Sequence, residues 1–63
     1  MLMGMSKREC VDYAKKIGAY SVSYFENKKG IPQMIIILFA KGGHIRAWFD
    51  HHSRRVSEER LYH

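Results

Sequence analysis

A chain of 63 residues with a single cysteine, Cys10, has room for one small domain and cannot form an internal disulfide. Eleven Lys and Arg against six Asp and Glu give a net charge of +5 and a pI near 9.7, with the basic excess spread along the chain. These totals exclude a disulfide-stapled scaffold and a cysteine-based zinc fold, leave oligomerisation as the natural supplement to a small core, and favour a polyanionic partner.

The opening Met1-Leu2-Met3-Gly4-Met5 is apolar but short, and Lys7 and Arg8 follow it instead of preceding it. A secretory leader has the opposite order and about 7–15 apolar residues in its centre. Residues 1–5 therefore read as a flexible lead, and with the lone thiol they suggest a cytoplasmic protein. Ser6-Lys7-Arg8-Glu9 is a capping box, in which the Ser6 hydroxyl and the Glu9 carboxylate satisfy each other's backbone amides. A helix is predicted from there to about Ile17, with Cys10, Tyr13, Ala14 and Ile17 on one face and Gly18 ending it.

Residues 19–26 alternate, Tyr20, Val22 and Tyr24 against Ser21 and Ser23, as a strand with one wet face does. Asn27-Lys28-Lys29-Gly30 has the residue types of a hairpin turn, and Pro32 delays pairing beyond it. Met34 to Ala40 is a run of seven apolar residues, too short for a membrane-spanning helix and typical of a strand buried on both sides. Lys41-Gly42-Gly43 is a second turn. A third strand, from His44 to about His51, sets Ile45, Ala47 and Phe49 against His44, Arg46, Trp48 and Asp50. Residues 53–63 read as a short helix or a frayed tail, anchored only by Val56 and Leu61.

The expected fold is α+β: an N-terminal helix on a three-stranded antiparallel meander, α-β-β-β, with a compact domain over residues 6–52. One helix covers only one face of a sheet, yet the central strand is apolar on both. Met34, Ile36 and Leu38 point one way, and Ile35, Ile37 and Phe39 the other. Leaving three such side chains bare forgoes roughly 5–9 kcal/mol at about 1.5–3 kcal/mol each. The tail or a second copy of the chain should therefore cover the second face, and a homodimer with Ile35, Ile37 and Phe39 at its interface is the expectation.

Arg46 and Trp48 stand side by side on the polar face of the third strand, a cation for phosphate beside a ring for stacking. Lys28, Lys29 and Lys41 at the turns and Arg54 and Arg55 after the strand extend this candidate nucleic-acid site. The alternative is that Trp48 packs inward and Arg46 is merely solvated. A metal site from His44, Asp50, His51 and His52 is disfavoured, since adjacent strand residues point to opposite faces. No metal or other cofactor is implied. His44 and His51, with Arg46 or Tyr24, have the residue types of a metal-independent ribonuclease. The layout resembles, as architecture alone, that of small basic toxins that cleave RNA. Cys10 lies on the apolar helix face and reads as a packed side chain.

Three functions follow. The first is a small basic nucleic-acid-binding or regulatory module, similar in size to accessory proteins of phages and mobile elements, and not an enzyme. The second is a protein-interaction module that modulates a larger enzyme through its apolar sheet face or an edge strand. The third is the small ribonuclease.

Overall fold

Ser6 opens the one helix, α1 (Lys7–Lys16), and the capping box is complete: its hydroxyl accepts from the Glu9 amide at 3.3 Å, and Glu9 Oε1 accepts from the Ser6 amide at 2.9 Å. The computed structural model describes residues 1–63. Cys10 and Ala14 are the buried residues of α1, and Gly18 reverses the chain with φ +68°. Four strands follow, β1 (Ser21–Glu26), β2 (Pro32–Leu38), β3 (His44–Phe49) and β4 (Val56–Tyr62), in one antiparallel sheet of order β1-β2-β3-β4. No helix is long and apolar enough to cross a membrane.

Both predicted hairpin turns form. Asn27 Oδ1 accepts from the amides of Lys29 and Ile31, and Gly30 closes the first turn at φ +79°. Gly42 and Gly43 close the second at φ +101° and +81°. The third turn was not predicted. Asp50 Oδ2 accepts from the amides of His52 (3.0 Å) and Ser53 (2.8 Å), and Arg54 takes the left-handed conformation at φ 59°.

This third turn corrects the reading of residues 53–63. They are neither helix nor frayed tail, because β4 pairs with β3 along its length. The register shifts between Trp48 and Phe49, where Ser57 is the extra residue of a bulge. The bulge changes the side-chain parity of β4, so that Val56 is buried and Glu59 and Leu61 still share the helix side of the sheet. Three strands were expected and four are found, with the helix and the first three near their predicted positions.

The core lies between α1 and one face of the sheet. It is made of Cys10 and Ala14 with Ile35, Ile37, Ile45, Ala47, Phe49 and Val56. Ile35 and Ile37 are thus inside the protomer and are not available as an interface, while Phe39 is half-buried at the end of β2. The face left uncovered carries Met34, Ile36 and Leu38 instead, the reverse of the face assigned to the dimer contact. The helix side is the one on which β3 is also apolar, since Ile35 and Ile37 pair with Ala47 and Ile45, and Cys10 and Ala14 of α1 are buried with them.

Residues 1–5 also enter the fold. Leu2 is 0% exposed and belongs to the core cluster. Glu59 Oε1 accepts from the amides of Leu2 (2.9 Å) and Met3 (3.2 Å) and from the Met1 amino nitrogen at 2.7 Å. Gly4 donates to the Val56 carbonyl, and Val56 donates to that of Met5, both at 2.9 Å. Arg55 holds the same segment, donating to the Gly4 carbonyl at 2.7 Å and to Glu9 Oε1 at 3.0 Å.

Candidate nucleic-acid interface

The strand registers place three rows of side chains on the face opposite α1. Ser21, Leu38, His44 and Tyr62 form one row, and Ser23, Ile36, Arg46 and Arg60 the next. Phe25, Met34, Trp48 and Glu58 form the third, and beyond them the bulges disturb the pattern. The β1–β2 half of this face is apolar apart from its serines. The β3–β4 half is aromatic and cationic.

Arg46 and Arg60 are directly opposed cross-strand partners. Like charges in that position repel and destabilise a sheet. Arg60 is partly neutralised by Glu58, whose Oε2 lies 3.3 Å from its Nε. Arg46 has no carboxylate within ion-pair distance. Its Nε donates to His44 Nε2 at 3.1 Å, and its guanidinium lies 4.9 Å from the centre of the Tyr62 ring. Tyr62 stacks on His44 with centroids 4.7 Å apart and planes 8° from parallel. The Arg60 guanidinium sits 6.0 Å from the Trp48 ring centre, the outer limit for a cation–π contact. Trp48 is half-buried on the face opposite α1, beside Met34. The result is an alternation of ring, guanidinium pair and ring across two strands.

The predicted site residues divide into three groups. Arg46 and Trp48 share the open face as expected from strand alternation. Lys28 and Lys29 lie in the β1–β2 turn and Arg54 in the β3–β4 turn, at one end of the sheet, and Lys41 lies in the β2–β3 turn at the other end. All four are exposed. Arg55 is tied to Gly4 and Glu9, on the helix side, so it serves as a strut between the N-terminal segment and β4. Arg60 and Tyr62 join this face only because residues 53–63 form a strand and not a helix or tail. The usable signal was the outward set Glu58, Arg60 and Tyr62 at spacing two, hidden by the bulge at Ser57.

The histidines do not converge. His44 begins β3 and His51 lies beyond its other end, separated by roughly 20 Å at about 3.3 Å per extended residue. Tyr24 is on the helix side, where the Lys7 ammonium lies 3.9 Å from its ring centre, and so faces away from Arg46. No three His, Cys, Asp or Glu side chains cluster as a metal site would require, and the surface has no pocket. No known protein family, curated protein or solved structure matches the chain.

Proposed function

We propose that the protein is a small nucleic-acid-binding module that holds a single strand across the open sheet face. The observation that carries this reading is the directly opposed Arg46–Arg60 pair, with no carboxylate on Arg46 and an aromatic ring to either side. A phosphate between the two guanidiniums relieves their repulsion, and neighbouring bases find Trp48 and the apolar side chains of β2 as stacking and contact surface. The net charge of +5 steers a polyanion toward every side, while Lys28, Lys29, Arg54 and Lys41 prolong the track at the two ends. A single strand fits better than a duplex because its bases are free to lie on an exposed sheet.

The test follows Trp48 emission while single-stranded DNA, single-stranded RNA and duplex DNA are titrated at two salt concentrations. Saturable change with a single strand, weakening as salt rises, is the expected result. Arg46→Gln and Arg60→Gln should each weaken binding, and the double variant should reduce the salt slope by about one phosphate contact, the one the two guanidiniums share. A silent titration together with no retarded complex in a separation assay would overturn the reading.

The apolar half of the same face, with Phe25 and Leu38 exposed and Met34 and Ile36 half-buried, favours a second reading as a protein-contact surface. In that case Ile36→Lys abolishes partner capture, whereas Arg46→Gln leaves it intact.

A further inference from the structure

The two edges of the sheet are treated differently. At the β4 edge, both the amide and the carbonyl of Val56 are taken by Met5 and Gly4, and Ser6 bridges to Arg55. Further along, β4 carries Glu58, Glu59 and Arg60, with Glu59 turned inward toward the helix side. Inward charges and covering segments are devices that keep an edge from pairing. The β1 edge has none of them. Ser21–Glu26 holds no Lys, Arg or Pro, its single charge is the terminal Glu26, and no segment of the chain pairs with its outer side.

Exposed apolar side chains gather at that same edge. Eight large hydrophobic residues are exposed in the molecule, and Tyr20 (77%), Val22 (38%), Phe25 (46%) and the adjacent Leu38 are half of them. Val22 lies on the helix side of β1 and Phe25 on the open side, so both flanks of the edge are apolar.

From the β4 edge, covered at Val56 and charged beyond it, and from the bare β1 edge with its two apolar flanks, we infer that β1 is a homodimerisation edge, pairing antiparallel with β1 of a second copy about a two-fold axis. The register follows from parity. Each face of the joined sheet is continuous only if residues opposite each other are an even number apart, so one residue must face its own copy across the axis. Centring on Tyr24 sets Val22 against the partner's Glu26, a carboxylate on an aliphatic side chain. Centring on Ser23 sets Val22 against the partner's Tyr24 and Ser21 against the partner's Phe25, and leaves Glu26 at the rim. Of the two, the Ser23-centred register is the better matched, and it is the one tested below. It makes an eight-stranded sheet, and β3 and β4, two and three strands from the joint, remain open in both copies.

The experiment has two arms. Sedimentation equilibrium at high micromolar concentration should give twice the 7.4 kDa chain mass. Residues directly opposed in an antiparallel pair have Cα atoms about 4.5–5.5 Å apart, within the disulfide range of about 4.4–6.8 Å. Ser23→Cys should then cross-link to near completion under mild oxidation, and Ser57→Cys on the protected edge should not. The double variant Val22→Lys, Phe25→Lys should sediment as a monomer with an unchanged circular dichroism spectrum. A monomeric parent chain, a dimer that survives both lysines, or Ser23→Cys cross-linking no faster than Ser57→Cys would each overturn the inference. None of these readouts involves nucleic acid, so failure here is distinct from failure of the binding proposal.

Discussion

Replacing Glu59 by Ala should destabilise the domain far more than an edge-strand glutamate ordinarily does. The Glu59 side chain is only 18% exposed, and a single oxygen, Oε1, accepts from the amides of Leu2 and Met3 and from the Met1 nitrogen. Hydrogen bonds to a charged acceptor are worth about 1.5–3 kcal/mol when the donor left behind is desolvated. The Leu2 amide is part-buried, and the Leu2 side chain it anchors is fully buried in the core. Partial release of Leu2 draws on a further ~1.5–3 kcal/mol of apolar burial. A loss of about 2–4 kcal/mol is expected for Glu59→Ala. At roughly 0.05–0.15 kcal/mol per residue, a domain this size holds only about 3–9 kcal/mol in total. The melting temperature should fall on the order of 10–30 °C, at about 4–8 °C per kcal/mol. Glu59→Gln keeps a neutral acceptor and should lose about half as much. Thermal and urea melts followed by circular dichroism measure both. Combined with Leu2→Ala, the losses should be clearly sub-additive, since the two changes release the same segment. A Glu59→Ala protein within about 0.5 kcal/mol of the parent, or full additivity with Leu2→Ala, would show that the segment is not held this way.

Acid stability should follow the same residue and two others. Glu9, held by the Ser6 amide and hydroxyl, and Asp50, held by the amides of Ser53 and His52, both have carboxyl groups below their ordinary values of 4.5 and 3.8. For Glu59 burial pushes upward, but the hydrogen bonds from the chain's first residues outweigh it and the net shift is again downward. The unfolded chain therefore binds more protons than the folded one in the acid range. Stability is complete above those ordinary values and declines as pH falls through the depressed ones, and a flat melt midpoint from neutrality to strong acid would contradict this. The Cys10 thiol is pushed up to about 11, by burial first and then by the carboxylates of Glu9 and Glu59. It should resist aromatic disulfide reagents at pH 8 in the native protein and react fully in denaturant, and rapid native labelling would place it outside the core. Gly43→Ala should destabilise by more than about 1 kcal/mol in chemical melts, because a Cβ at φ +81° would come within 2.8 Å of the Tyr62 carbonyl oxygen. Gly42→Ala, with nothing near its Cβ, should lose only the backbone strain.

Local chemistry made much of this fold legible. The Ser6–Glu9 capping box, the Asn27–Gly30 turn, the Gly42-Gly43 turn and the alternation of Ile45, Ala47 and Phe49 each depend on near neighbours along the chain, and each forms where the sequence puts it. The same alternation brought Arg46 and Trp48 to one face. What failed was whatever depended on distant contact. The parity of β4 is interrupted by one extra residue at Ser57, so Val56 and Leu61 do not show a strand's period, and Glu59 occupies an inward position that reads as polar surface. Its burial becomes tolerable only when the amides of Leu2 and Met3 reach it from the far end of the chain. The apolar run Met34–Ala40 has two equivalent sides, and periodicity cannot say which one faces the helix. The register with β3 decided that: Ile35 and Ile37 fall opposite Ala47 and Ile45 and are buried with them, leaving Met34, Ile36 and Leu38 on the open face. With that choice, and with β4 added, tertiary structure alone set Arg60 opposite Arg46. A sequence determines periodicity and caps because these are near-neighbour physics. Which face is buried, and which charges meet across strands, are settled only when the whole chain packs.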